Sequence, residues 1–334
     1  MSDAMPIVAS APGKVVLSGE YAVLDGAPAV CVAVDRRARV TVEYNDEDHH
    51  VVAAPGHAES MARFRVADGV VEWLAGGEDL KLVEDLWRSA DVETSRHFSI
   101  SLDTNEFFDA ASGAKIGIGS SAALMTAFAA ALCHVGEVDE DARRIAFAAH
   151  RAFQKGLGSG VDIACCCRGG LIEYTMGEAT GRPVTWPDGL AFGLFWSGVP
   201  ASTSAKLKHL IKSDPRPSRA ALVYASRRVA SAWGSGDVQD VLLEYRDYIQ
   251  VLREFSDDHE LGIFDAGHAE MVAAAEAAGL VYKPCGAGGG DVGIVLSSDA
   301  ESIAAFVDRA KEQNFRHLAV SADPLGVQVT GQGC

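Results

Sequence analysis

The 334-residue sequence has no stretch approaching the ~20 uninterrupted apolar residues that a membrane span needs. Residues 1–10 also lack a basic segment followed by a long apolar run, so no anchor or export signal is expected and a cytoplasmic location is. Basic residues are scarce, with 29 Lys and Arg against 46 Asp and Glu and a formal charge of −17. That balance excludes an extended surface for nucleic acid or anionic lipid, because such surfaces depend on dense Lys and Arg. Any phosphate the protein handles must meet a local basic pocket. The seven cysteines, three of them adjacent at Cys165, Cys166 and Cys167, have neither zinc-ligand spacing nor the density of a secreted disulfide scaffold. They read as reduced packing residues. No Gly-x-x-x-x-Gly-Lys-Ser/Thr occurs, which argues against an ordinary P-loop fold. Internal repeats and low-complexity segments are missing too.

What the sequence does have is apolar material: 48% of residues, enough for a sizeable core and two domains. Two β-branched stretches at 15–17 and 30–34 flank the turn dipeptide Asp25-Gly26 and predict strand, turn and strand. Residues 44–60 are polar and include His49, His50 and His57 without a metal-ligand pattern, so they read as a solvated loop or hairpin end. A short strand is expected at 99–102. The Ala-, Leu- and Met-rich run 124–134 predicts a buried helix, 141–154 a second, and 161–167 a third that opens at Gly156–Gly160 and stops at Gly169-Gly170. Turn signals crowd 177–189, which makes this the expected connection between domains spanning 1–187 and 188–334. Beyond it the pattern gives strands at 191–196, 292–296 and 317–320, and helices at 205–212, 218–233, 237–254, 266–278 and 300–313. Helices and strands without a long βαβ array suggest the α+β class.

Three glycine-rich segments carry the chemistry. The first, Ala11-Pro-Gly-Lys-Val-Val-Leu-Ser-Gly-Glu-Tyr21, sets Lys14 after a Pro-Gly turn at the start of an apolar strand, where its base is fixed and its tip free. A solvated strand-end lysine is the plain alternative. The second, Gly117-Ile-Gly-Ser-Ser-Ala-Ala123, stands directly before a helix. There glycines let backbone approach a ligand, and the first helical turn offers unpaired N–H groups to an anion such as phosphate. A tight turn with a serine N-cap remains the alternative. The third, Lys283-Pro-Cys-Gly-Ala-Gly-Gly-Gly-Asp-Val-Gly293, has too many glycines to pack a core and implies close backbone approach to a ligand or another loop. Two loose dinucleotide fingerprints starting at Gly117 and Gly288 lack the required strand, turn and helix context, so a Rossmann dehydrogenase is disfavoured.

In this order the three segments resemble the signature motifs of the GHMP kinases, the superfamily of galactokinase, homoserine kinase, mevalonate kinase and phosphomevalonate kinase, over most of the chain. The first motif is similar to the isoprenoid branch and not to the Arg-Val-Asn type of galactokinases. Lys115 before the glycine loop, the run from His150 to Asp162, Pro200-Ala-Ser-Thr-Ser204 and Gly286-Ala-Gly-Gly-Gly-Asp291 look like the phosphomevalonate kinases. Mevalonate kinases usually carry Pro-Ser-Gly-x-Asp preceded by a magnesium-holding glutamate. Here Gly158-Ser-Gly-Val-Asp162 replaces it, with Arg151 near the glutamate's expected position.

The resemblance implies an α+β, two-domain kinase with a C-terminal ferredoxin-like domain and an active site between the domains. It implies ATP on the backbone of Gly117, Ile118, Gly119, Ser120, Ser121 and Ala122, with Mg²⁺ near Ser121. Lys14 would neutralise the transferred phosphoryl group or activate the acceptor oxygen, and Asp162 would orient or deprotonate the acceptor; N-terminal helix charge pairing is the alternative for Asp162. Lys115, Ser159, Gly160, Ser202, Thr203, Ser204, Lys206, Gly288 and Gly289 would surround a small anionic acceptor, although residues 202–204 also suit a helix cap. No nucleic-acid or membrane partner is implied, and a homodimer is left open. The activity implied is ATP-dependent phosphorylation of (R)-5-phosphomevalonate to 5-diphosphomevalonate. Mevalonate kinase, an ATP-dependent decarboxylase and a non-catalytic metabolite-binding relative stay as alternatives, and Lys14, Ser121 and Asp162 together speak against the last.

Overall fold

The two valine-rich stretches belong to long strands whose branched side chains fill a pleated, half-buried surface. In the computed structural model, which describes residues 5–56, 61–90, 96–136, 141–178, 180–213 and 216–331, β1 (Ile7–Ser18) and β2 (Ala29–Asn45) pair antiparallel. A single-turn helix over Ala22–Asp25 joins them and ends on Gly26, as the Asp25-Gly26 signal anticipates. Then follow β3 (His50–Ala53), β4 (Ala62–Ala67), β5 (Val70–Ala75), α1 (Lys81–Ala90) and β6 (His97–Asp103). Next come α2 (Ser120–Val135), α3 (Ala142–Phe153), α4 (Val161–Arg168), β7 (Leu171–Tyr174) and β8 (Arg182–Val184).

These strands form one sheet in the order β13-β1-β2-β6-β3-β4-β5, with β7 and β8 continuing from β2; β13 (Gln328–Thr330) comes from the far end of the chain. Only the β3–β6 pair is parallel among the described strands, and the intervening segment carries α1. Helix α2 lies on β1 and β2, buried almost all round. Its alanines let it approach the sheet closely, which is why so apolar a helix carries no polar stripe.

The second sheet has the order β10-β11-β9-β12, all antiparallel, from β9 (Ala191–Trp196), β10 (Val281–Pro284), β11 (Val292–Ser297) and β12 (Arg316–Leu318). Helices α5 (Thr203–Lys212), α6 (Pro217–Ser235), α7 (Val238–Asp258) and α8 (His268–Ala277) lie between β9 and β10, and α9 (Ala300–Glu312) between β11 and β12. In chain order this sheet reads second, third, first, fourth, the split βαβ arrangement of ferredoxin-like folds. The architecture is α+β throughout. The turn-rich segment at 177–189 holds β8, which pairs with β7 in the first sheet, and β9 opens the second.

The reading of 44–60 as a solvated loop or hairpin end holds for the bend at 46–49, exposed over 46–48, and is corrected on either side of it. β2 runs to Asn45, and His50 is buried in β3, stacked on Phe64 at 4.9 Å and packed beside Trp87 and Phe98. Its Nδ1 accepts the Phe98 backbone N–H at 3.2 Å, so the imidazole serves as a flat core ring. Burial and the neighbouring His97 and His49 push His50 down to about 4, which keeps it neutral. His57 lies outside the described residues. The described cysteines are all free, with Cys31, Cys165, Cys166 and Cys285 buried.

Candidate active site

The site begins at an irregularity in β1. Its register against β2 slips between Pro12 and Gly13, so the Lys14 N–H can reach the carbonyl of Ile118 at 2.8 Å. Gly13 must be glycine there, because a Cβ would stand 2.8 Å from that same carbonyl oxygen. The glycine loop is thereby docked on the strand that carries Lys14. Gly119 caps α2 in the left-handed conformation, φ 87°, with no side chain capping the first turn and no acidic residue in it. The open N–H groups and partial positive charge at that end of α2 stand beside the Lys14 side chain. A Cβ on Gly119 would sit 2.9 Å from Lys14 Cγ and Cε.

Asp162 reaches the same point from α4, whose N-cap, Gly160, likewise leaves the first turn without a side-chain cap. Lys14 Nζ and Asp162 Oδ1 are 2.9 Å apart, with the two side chains 13% and 26% exposed. Burial alone would lower the lysine and raise the carboxylate. Their mutual attraction reverses both, lifting Lys14 above its usual value and holding Asp162 below the ordinary carboxylate range with help from His150. Lys14 is therefore a fixed cation and Asp162 a weak base.

The third glycine turn closes the site from the second sheet. Asp291 packs its carboxylate on Gly117, accepts the Ala201 N–H at 3.1 Å, and lies within the electrostatic reach of Lys115, Lys14 and Lys206. Burial still lifts its carboxyl above the usual value. Beneath the turn, Lys283 Nζ pairs with Glu20 in the interior, the side chains being 0% and 2% exposed. Tyr248 donates its hydroxyl hydrogen to Glu20 at 2.7 Å, and Tyr21 donates to the Ala287 carbonyl at 2.7 Å. Glu20, Tyr21, Lys283 and Asp291 were not singled out from the sequence, although all four lie inside the first and third glycine-rich segments.

A cleft of about 90 Å³ opens among these groups, lined by Lys14, Glu20, Tyr21, Asp162, Thr203 and Ala287 among others. Ser159 lines it as well, and its carbonyl accepts the Tyr174 hydroxyl at 2.9 Å. Lys115 is exposed and makes an isolated bridge with Phe108 at the entry to the glycine loop. Ser120 is buried and Ser121 half-buried in the first turn of α2. Ser202 caps α5 by accepting the Ala205 N–H at 3.4 Å, the capping alternative noted from sequence, and Ser204 is exposed on that helix. Lys206 Nζ donates to the Gly262 carbonyl at 3.1 Å. Gly288 and Gly289 pack against the 262–263 turn, while Gly286 and Ala287 face the cleft.

A lysine–carboxylate pair set against an open helix N-terminus, with glycine turns on either side, is suited to phosphoryl transfer, where positioning and charge do most of the work. Residues 85–170 match the GHMP kinases N terminal domain. The phosphomevalonate kinase of Streptomyces sp. (strain CL190) is 31% identical over 342 residues, covering 89% of this chain and 91% of that one. The mevalonate kinase of Thermococcus onnurineus is 26% identical over 327 residues, with 89% and 91% covered. Among solved structures, Streptococcus pneumoniae phosphomevalonate kinase in complex with phosphomevalonate and AMPPNP superposes with a TM-score of 0.77 at 18% identity, covering 94% of this chain and 99% of that one. The chain belongs to the GHMP kinase superfamily and has its fold.

Proposed function

We propose that the protein transfers the γ-phosphoryl group of ATP to the terminal phosphate of (R)-5-phosphomevalonate, giving 5-diphosphomevalonate and ADP. The observation that carries the kinase reading is the Lys14–Asp162 pair, 2.9 Å apart beside the uncapped N-terminus of α2. In the step itself an oxygen of the acceptor phosphate bonds to the γ-phosphorus. The bond from that phosphorus to the β,γ-bridging oxygen breaks, and its electron pair leaves with ADP. Lys14, kept protonated by Asp162, faces the charge that builds on the transferring group. An acceptor phosphate is already ionised near neutral pH, so the weak basicity of Asp162 is no handicap, and its role is to hold Lys14 and orient the acceptor.

On this reading the chain divides near residue 187, ATP phosphates lie along the backbone from Gly117 to Ala122, and Lys115, Lys206 and Thr203 stand on the acceptor side. The described residues hold no group of three or more His, Cys, Asp and Glu suited to a metal. That fits Mg²⁺ arriving on the nucleotide, since this ion keeps water and phosphate ligands and needs only one or two protein oxygens, of which Ser121 would be one. Bound there, it would neutralise phosphate charge. The 31% identity to a phosphomevalonate kinase supports that acceptor, and the 26% identity to a mevalonate kinase keeps mevalonate as the second reading. ADP release measured over mevalonate, phosphomevalonate, diphosphomevalonate, homoserine and sugars tests both. Preference for mevalonate sinks the first reading and promotes the second.

A further inference from the structure

The cleft around Lys14 and Asp162 is too small to enclose a metabolite. Its volume is about 90 Å³, whereas small-molecule sites usually occupy ~300–1,000 Å³. A second and wider groove of about 790 Å³ lies directly beside it, and the two share Gln154, Gly158 and Ser159 as lining residues. Gln154 stands at this neck. It caps the C-terminal end of α3, and its side-chain amide hydrogen-bonds Nε2 of His150 at 3.2 Å. A Cβ on Gly158 would lie only 1.6 Å from Gln154 Oε1, so this glycine leaves the room that the amide occupies. His150 is 3% exposed, and burial pushes it below its ordinary value, which gives the amide a neutral, fixed partner.

The groove's charges are unevenly committed. Arg143 is held by Asp141, its Nε 2.8 Å from Oδ2, and Arg144 is engaged as well. The exposed guanidinium of Arg151, in the last turn of α3, has no hydrogen bond or ion pair among the described residues. A free guanidinium on a protein of net charge −17, one turn from the neck of a reaction cleft, is suited to bidentate recognition of a carboxylate.

Resting on the kinase reading, we propose that the acceptor spans both spaces: its reacting phosphate lies at Lys14, its carbon chain passes Gln154, and its far carboxylate is held by Arg151. Gln154 and Arg151 are then specificity-determining residues for a phosphorylated carboxylic acid. A shorter acceptor, or one without the distal carboxylate, loses the Arg151 contact while keeping the reaction cleft.

Steady-state kinetics of the full chain with phosphomevalonate and with its carboxamide test this. In Arg151→Gln the KM for the acid rises about ten-fold, the loss of one charge-assisted contact, while kcat and the KM for ATP stay within about two-fold. The carboxamide has the same KM in both proteins, and Arg151→Lys recovers part of the loss for the acid. Gln154→Ala raises KM for acid and amide alike, because the neck holds the carbon chain. An unchanged KM for the acid in Arg151→Gln, or an equal rise for acid and carboxamide in that variant, overturns the assignment to Arg151. An unchanged KM in Gln154→Ala overturns the neck. Failure of the unmodified protein to phosphorylate any phosphorylated acid is a failure of the parent reading, and is visible before any variant is made.

Discussion

Replacing Lys14 by methionine keeps an unbranched side chain one atom shorter and deletes its charge. The ammonium is 2.9 Å from Asp162 and 13% exposed, so little water takes its place when it is lost. Removing one electrostatic stabiliser of developing charge typically costs ~10²–10³ in turnover, and a cation held charged in so dry a place should cost two to four decades. Stability changes too. Breaking a buried ion pair by deleting one partner costs ~3–5 kcal/mol, and because Asp162 is 26% exposed the expectation here is nearer 2 kcal/mol. Asp162 should then titrate higher, since Lys14 is the main group holding it down. The double variant Lys14→Met, Asp162→Asn separates the two effects by restoring stability without restoring turnover. Single-turnover rapid quench with saturating ATP and acceptor reads the chemical step, and denaturant midpoints read stability. If Lys14→Met turned over at close to the normal rate with chemistry shown to limit it, the role assigned to this lysine would be wrong.

Gly119→Val places a side chain where φ is 87° and a Cβ would lie 2.9 Å from the Lys14 chain, so ATP affinity by calorimetry should fall at least ten-fold while circular dichroism stays native-like. Unchanged affinity in that folded variant would move the nucleotide elsewhere. His50 and His268 are buried and each is pushed down to about 4, chiefly by burial, so the unfolded chain takes up their protons first. Their contribution is whole above pH ~6.5 and is lost as pH falls from there toward 4, at up to ~1.4 kcal/mol per pH unit for each. Urea midpoints between those limits check it; a flat profile would mean that neither imidazole is shielded.

Where the sequence was legible, a local pattern matched a local structure. The alanine- and leucine-rich run became α2, the turn at Gly156–Gly160 opened α4, and Asp25-Gly26 ended the turn between β1 and β2. The strands β3 to β5 were missed because each is only four to six residues long, and in Ala62–Ala67 two arginines alternate with the only buried residues, Ala62 and Phe64. Helix α1 was missed although Val83, Leu86, Trp87 and Ala90 do mark a buried face at helical spacing. The same limit applies in the site. The first two glycine-rich motifs named Lys14 and the glycine loop, and the run from His150 to Asp162 named Asp162, but a run of glycines shows that a turn exists without saying which member faces the ligand. Thus Gly286 and Ala287 face the cleft where Gly288 and Gly289 were favoured. The Glu20–Lys283 pair joins residues 263 positions apart, and no local pattern announces it.

That pair explains how a cleft built from both ends of the chain keeps its shape. Successive groups around the first motif are each held from the second half of the chain. The Leu17 carbonyl accepts the Tyr245 hydroxyl at 3.0 Å, the Gly19 N–H donates to Tyr248 at 3.0 Å, Glu20 takes Tyr248 and Lys283, and Tyr21 donates to Ala287. Lys14, a few residues upstream, is fixed from the other side by the Ile118 carbonyl. Buried ions and hydroxyls are a poor source of net stability, because removing them from water costs about as much as their pairing returns. What they supply is a single allowed register, since any slip of β1 against α7 or β10 would strand a charge in the interior. Phosphoryl transfer depends on placing two anions and their counter-charges correctly before reaction, so the preference for polar anchors over further apolar packing at this junction is consistent with a site built for preorganisation.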